Sequence, residues 1–254
     1  LGVEYKMPVA LAPVGSLGMQ RADGEILAAQ AAEGFGVPFT LSTMSICSIE
    51  EVARNTSKPF WFQLYVMRDH DFAKRLVERA KAAQCSALVL TLDLQILGQR
   101  HADIRNGLSI PLKIKLSNLF DLLSKPSWCY QMARTKNRTF GNVMGHVKDI
   151  TNLNSLTKWV QDQFDTRLNW DDVKRIKDWW GGKLIIKGIM DPDDAKMAQK
   201  CGADALVVSN HGGRQLDGVN SSISTLPEIK KAVSNIEVLM DGGISSGQDI
   251  LKAI

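Results

Sequence analysis

The strongest constraint on this chain is a rhythm: short, continuously apolar runs alternate with helical periods almost from end to end. The runs fall at residues 9–12, 39–41, 61–65, 87–91, 184–187, 205–208 and 237–241. A strand that is apolar at every position is buried on both faces, and strands that alternate with helices form a parallel sheet. The intervening helices carry their own punctuation. Asp23 is placed to cap a helix running through Gly34, with Gly36 to end it and Pro38 leading into the next strand. Asp69 is placed to cap another, with Phe72, Leu76 and Ala80 on one face. Asp191-Pro192 supplies a cap and a first-turn proline, and Gly202 ends that helix.

Two architectures accept this rhythm, an open doubly wound sheet and a closed (β/α)8 barrel. Polar residues at the strand ends choose between them: Ser42 and Thr43, Gln63 and Tyr65, Thr91 and Asp93, Lys187, Ser209 to His211, Asp241. A doubly wound sheet offers its ligand only the strands at the switch point, whereas a barrel brings every strand end to one mouth. The reading is therefore an α/β TIM barrel, with about seven strands present and the eighth missing. Leu1-Gly2 reads as no natural start, and the helical pattern at 246–254 stops before any cap. The expectation is one partial barrel domain over 1–254, an internal portion of a longer protein. About ninety residues separate Asp93 from Leu184, where a βα unit needs about thirty. Residues 170–180 read as the helix of that unit, leaving 94–169 as an insertion after the fourth strand.

Within the insertion, residues 110–138 join apolar bulk (Leu116, Leu119, Phe120, Leu122, Leu123, Trp128, Tyr130) to six lysines and arginines, with Asp121 the single acid. A lid helix packed on the barrel and an interfacial segment on anionic lipid both fit. The rest of the composition narrows the field. A net charge of +4 leaves no basic footprint for nucleic acid. Four separated cysteines form no CxxC pair, so neither a metal site nor a disulfide framework is expected, and a reducing cytoplasm fits. No run of about eighteen apolar residues offers a transmembrane span.

The chemistry centres on Ser209-Asn210-His211-Gly212-Gly213-Arg214-Gln215, a glycine-softened turn directly after an apolar strand. An imidazole there can take a proton, and a guanidinium can hold a carboxylate at two points. Asp93, at a neighbouring mouth position, can hold the imidazolium, and Arg100 can complete a carboxylate clamp with Arg214. Lys187 ends a buried strand, where an ammonium must be hydrated or paired. A Schiff-base nucleophile and a fixed charge beside an anionic cofactor both suit it. Asp241-Gly242-Gly243 offers backbone N–H groups to a phosphate. Redox chemistry at this site needs an organic cofactor.

The segment SNHGGRQLDG resembles the active-site signature of the FMN-dependent L-2-hydroxy acid dehydrogenases and oxidases, which include glycolate oxidase, mandelate dehydrogenase and the flavin L-lactate dehydrogenases. WFQLYV, TLD, IIKGI and MDGGI fall where that family places them, and the likeness is greatest to its bacterial respiratory, L-lactate-oxidising branch. The resemblance implies that His211 accepts the substrate proton while Asp93 pairs with it. Arg100 and Arg214 would bind the carboxylate, and Tyr65 would contact the hydroxyl end. Ser42, Gln63, Thr91 and Lys187 would hold FMN, Pro13, Val14 and Gly15 would lie against its ring system, and Asp241, Gly242 and Gly243 would line the ribityl-phosphate side.

The implied reaction oxidises an L-2-hydroxy acid, L-lactate to pyruvate, in a homo-oligomer. Family dehydrogenases often carry glycine where Gly15 stands and oxidases alanine, which points to a quinone or cytochrome as electron acceptor. With the 110–138 segment, that places the protein in the cytoplasm or peripherally on the inner membrane. Alternatives are an oxidase using oxygen, a flavin-barrel isomerase and a non-catalytic fragment. Three departures weigh on FMN binding: Ser245 stands at the family's arginine position, the family's Gly-Arg phosphate clamp would follow Ile254, and its N-terminal pocket tyrosine would precede Leu1.

Overall fold

The computed structural model describes residues 1–94, 98–106, 123–147, 159, 163 and 167–254. The chain enters through a single helical turn, α1 (Leu17–Gln20), and α2 (Gly24–Phe35). Strand and helix then alternate: β1 (Thr40–Ser42), α3 (Ile49–Arg54), β2 (Trp61–Tyr65), α4 (His70–Ala82) and β3 (Ala87–Thr91). After α5 (His101–Arg105) and α6 (Pro126–Arg134) the alternation resumes with α7 (Trp170–Trp180), β4 (Lys183–Ile189), α8 (Pro192–Lys200) and β5 (Ala205–Val208). It closes with α9 (Ser222–Ala232), β6 (Glu237–Met240) and α10 (Gly247–Ala253).

All pairings among the six strands are parallel, in the sheet order β1-β2-β3-β4-β5-β6. A doubly wound sheet reverses its strand order at a switch point, and this one never does. The strands are therefore an arc of a (β/α) barrel. Alternate strand residues divide between two cores. Leu41, Phe62, Leu64, Leu88, Leu90, Leu184, Ile186, Leu206 and Val208 pack outward against helix residues such as Leu76, Val173, Ala195 and Ile229. Trp61, Ala87, Val89, Ile185 and Ala205 pack together on the inner face, joined by Leu1, Ala10, Val207 and Leu239.

Most helix boundaries follow the expected caps. The Asp69 carboxylate accepts from Phe72 N, Asp191 accepts from Asp193 N and Asp194 N, and Gly36 ends α2 in the left-handed region at φ 74°. Helix α7 starts on a reciprocal capping box between Asn169 and Asp172.

Two expectations change. Residues 9–12 form a single bridge, Leu11 to Phe39, rather than a strand; Pro8 and Pro13 flank the run and cannot donate to a ladder. Asp23 precedes α2 but does not cap it, because it adopts φ 56° and its carboxylate is taken by Thr135 Oγ1 at 2.7 Å and Asn137 Nδ2 at 2.9 Å. Helix α6 lies in the basic, apolar segment 110–138, of which 110–122 fall outside the described residues. Trp128 ties α6 to the body through Nε1 to Met19 O at 2.9 Å, while Leu123 and Tyr130 are exposed. No helix among the described residues is long and apolar enough to cross a membrane.

Candidate active site

The inner face of the sheet is apolar along most of its length and turns polar at the carboxyl ends of the strands. Register places Ser42 beside Gln63, Tyr65 beside Thr91, and Thr91 beside Lys187. The side chains of Ser42, Gln63 and Thr91 form a chain of buried hydrogen bonds. Ser42 Oγ donates to Gln63 Oε1 at 3.1 Å, and Gln63 Nε2 donates to Thr91 Oγ1 at 3.0 Å. Lys187 is buried, donating to Ser209 Oγ at 2.6 Å and pairing with Asp241 Oδ2 at 2.8 Å. An ammonium has three donors, so one N–H of Lys187 is left for a ligand. The other carboxylate oxygen of Asp241, Oδ1, is buried without a partner among the described residues.

Beyond β5 the chain turns sharply. Asn210 accepts from Gly213 N at 3.2 Å and donates to Asn220 O at 3.2 Å, closing a 3-10 turn over His211–Gly213. His211 itself sits at φ 56°, left-handed backbone that costs a residue with a Cβ about 1–3 kcal/mol. Its backbone N–H is received by Ser209 Oγ at 3.1 Å, the same oxygen that accepts from Lys187. The ring Nδ1 lies 3.0 Å from Asp93 Oδ1. A carboxylate there holds the proton on Nδ1 and leaves Nε2 with its lone pair as the basic atom. Gly188 makes room for this partner. It occupies a bulge in β4 at φ +99°, and a Cβ on it would stand 2.8 Å from Asp93 Cβ and Cγ.

The cationic side is assembled from two loops in backbone contact: a Cβ on Gly98 would lie 2.2 Å from Arg214 O. Arg100 Nη2 donates to Gln215 Oε1 at 3.4 Å, and its Nε is buried without a partner among the described residues. Burial, then the charge of Arg214, lowers the Arg100 pKa. Burial and Asp93 push the Tyr65 phenol up to about 12, against the opposing pull of Arg100 and Arg214, so it stays a neutral O–H donor. Arg214 is more exposed, with Asp103 Oδ2 at 3.9 Å from its Nη2. Tyr65, Asp93, His211, Arg100 and Arg214 thus occupy one neighbourhood.

The remaining positions lie around its rim. Val14 and Gly15 are exposed, and Ser16 N donates to Met44 O at 2.8 Å, tying this stretch to the loop after β1. Gly242 and Gly243 are exposed at positive φ, 93° and 76°. Ser245 carries no charge to the rim; its backbone N–H and Oγ both engage Asp249 Oδ2 at the start of α10. Reading the residues alone passed over Glu25, a buried carboxylate that accepts from Gly18 N and Ile46 N at 2.9 Å and Cys47 N at 3.4 Å. It also passed over Gly98 and Gly188. The motif IIKGI displays Gly188, but the reason for that glycine is Asp93, in the loop after β3. No group of three or more potential metal ligands stands together among the described residues.

The sequence signature of the family described as FMN-dependent dehydrogenase matches residues 1–254. The chain belongs to that family. Among curated relatives of this FMN-dependent dehydrogenase family member, an L-lactate dehydrogenase of Haemophilus influenzae (strain PittEE) is 47% identical over 255 residues. That match covers 100% of this chain and 67% of the relative. Among solved structures, the monotopic membrane protein (S)-mandelate dehydrogenase superposes with a TM-score of 0.90 at 33% identity, covering 98% of this chain and 66% of that one. A mandelate oxidase variant holding the C4a-OH-FMN adduct superposes with a TM-score of 0.76 at 35% identity, covering 98% and 62%. The chain therefore spans about two thirds of the length of the relatives it matches.

Proposed function

We propose that the protein to which these residues belong oxidises an L-2-hydroxy acid to the 2-oxo acid with FMN, L-lactate to pyruvate being the preferred reaction. In this reading residues 1–254 are one partial FMN-binding barrel with 94–169 inserted. The observation that carries it is the His211–Asp93 pair at 3.0 Å, set beside two arginines and above a buried polar row.

The residues present fit a flavin. Ser42, Gln63, Thr91 and Lys187 offer donors and acceptors along one inner face, and the unpartnered Asp241 Oδ1 suits a ribityl hydroxyl. The third N–H of Lys187 is a donor for an electron-rich ring edge. Bound FMN would supply the two-electron acceptor that no side chain provides.

The protein's own contribution is placement and proton transfer. Arg100 and Arg214 hold the substrate carboxylate, which fixes the adjacent carbon with respect to His211. Asp93 keeps Nδ1 protonated, so Nε2 accepts the substrate proton, and the imidazolium that results is stabilised by the carboxylate already in contact. Tyr65, un-ionised up to about pH 12, donates to the substrate oxygen. Oxidation releases two electrons and two protons per hydroxy acid, and His211 takes one of those protons.

Two features support a quinone or cytochrome acceptor at a membrane surface. Gly15 leaves the rim open, and α6 exposes Tyr130 within a basic segment. The solved relative described as monotopic carries the same fold. The decisive experiment is anaerobic bleaching of the full-length flavoprotein by L-lactate, glycolate and L-mandelate. Bleaching is expected with L-lactate fastest; an oxidised spectrum after all three refutes the reading. The His211→Gln variant is expected to keep its flavin and lose the bleaching.

A further inference from the structure

Asn142 belongs to the inserted region of the sequence, yet it is fully buried against the barrel. Its Oδ1 accepts from Ile49 N at 3.0 Å and Arg79 Nη2 at 3.4 Å. Its Nδ2 faces Ser45 Oγ at 2.9 Å, Ser42 O at 3.3 Å and Thr43 O at 3.4 Å. Arg79 grips the backbone as well, donating from Nη1 to Asn142 O at 3.0 Å while it pairs with Glu50 at 2.7 and 2.8 Å. The neighbouring Gly141 lies so close that a Cβ would meet Ile46 O at 2.7 Å, and its N–H donates to that oxygen at 3.2 Å. Val143 joins the main core. This stretch is pressed along the whole loop that follows β1.

That loop is one wall of the proposed cofactor site. Ser42 Oγ holds Gln63 and receives Met44 N at 3.2 Å, and Met44 O holds Ser16, next to Gly15. A displacement of the loop therefore moves two separate parts of the wall, Ser42 and the 13–15 stretch. The carboxamide divides its duties by atom. Oδ1 serves α3 and α4, whereas Nδ2 serves the loop, and a buried donor or acceptor without its partner bears the full cost of desolvation.

We propose that Asn142 is a positioning residue for the flavin site: its amide nitrogen sets the place of Ser42 and, through Met44, of residues 13–15, so that the insertion governs cofactor affinity. This rests on the reading that the face binds FMN. In contrast to Ser42, Asn142 touches no ligand and acts only through the loop.

The test uses full-length apoprotein titrated with FMN by flavin fluorescence quenching, with the visible spectrum of the bound flavin as a second readout. Asn142→Asp keeps an acceptor for Ile49 and Arg79 but sets an oxygen against the carbonyls of Ser42 and Thr43. Its FMN Kd is expected to rise by about tenfold or more, the scale of a buried polar group left unpaired, with a shifted flavin absorption band. A purely structural role lowers the melting temperature but leaves Kd and spectrum as in the wild type, and that result overturns the inference. If Asn142→Asp does not fold, Ser45→Ala removes one partner of Nδ2 and is expected to raise Kd severalfold; an unchanged Kd there overturns it equally. Failure of the wild-type chain to bind FMN defeats the functional reading itself, and that appears before any substitution is made.

Discussion

Replacing Gly188 by alanine tests whether the Asp93–His211 geometry produces the chemistry. The new Cβ would stand 2.8 Å from Asp93 Cβ and Cγ and 3.0 Å from Asp93 N. Carbon atoms pack at about 3.5–4.0 Å, so the overlap is roughly 1 Å. Rotating the carboxylate cannot relieve it, since the backbone nitrogen is among the atoms struck. Left-handed backbone at φ +99° adds about 1–3 kcal/mol, and forced packing about another 1–3 kcal/mol. A total of about 2–6 kcal/mol is a large share of the 5–15 kcal/mol that holds a typical domain together. A retreat of Asp93 by about 1 Å would also take the 3.0 Å contact to His211 Nδ1 beyond hydrogen-bond range. Losing an oriented general base costs about 10²–10⁴-fold in rate. The assay is anaerobic stopped-flow reduction of the bound flavin by L-lactate in full-length Gly188→Ala, Asp93→Ala and the double variant. All three should fall by similar factors, since each breaks the same bond. If Gly188→Ala binds FMN and is reduced within about threefold of the wild-type rate, the assigned coupling between bulge and base is wrong.

Gly15→Ala should fold normally and gain about 0.4–1 kcal/mol from a less flexible unfolded chain, because its Cβ would meet Met44 at an ordinary 3.5 Å. The same variant should reoxidise faster in air, read as the rate at which the yellow flavin band returns. Glu50 carries an acid-side signature: the Arg79 hydrogen bond pulls its carboxyl from 4.5 to about 2. A depressed carboxyl stabilises the fold fully above the unfolded value and loses that contribution as pH falls from 4.5 towards 2. The stability gap between wild type and Glu50→Gln should therefore shrink over that interval in denaturant melts. Its size should stay below about 1 kcal/mol, since Glu50 is 42% exposed and screened by solvent. Deleting residues 110–138 from the full-length protein should abolish most flotation with anionic liposomes; undiminished flotation sinks the membrane reading.

The legible parts of the fold were those decided by local pattern. Continuous apolar runs marked β1 to β6 to within two residues at either end, and Asp69, Asp191 and Gly36 marked helix ends because each acts on its own neighbours. Residues 9–12 were misleading for the same reason: their apolarity is local, but the flanking prolines limit them to one bridge. Asp23 was misleading because its partners, Thr135 and Asn137, are more than a hundred residues away. The buried bridges made by Glu25 and Asn142 were invisible in the sequence. A buried polar side chain is recognisable only with the distant groups that satisfy it, and no spacing rule announces a carboxylate that serves three backbone N–H groups. The resemblance and the strand-end positions picked out the candidate site residues, and the structure brings Tyr65, Asp93, Arg100, His211 and Arg214 together; the glycines that permit their approach were not legible.

The alternation along the strands has an evolutionary consequence. Every contributor to the polar row shares one parity with the apolar residues beneath it, and a single residue inserted below Lys187 in β4 would exchange Lys187 with Ile186, sending the ammonium into the helix layer. Strands in such a sheet can therefore lengthen only by pairs, or by one residue with a bulge to restore the phase, as Gly188 does for Ile189. The connections between them carry no such arithmetic. Descendants of this chain are free to vary loop length by any integer, and the seats of the polar side chains at the strand ends will move only in steps of two.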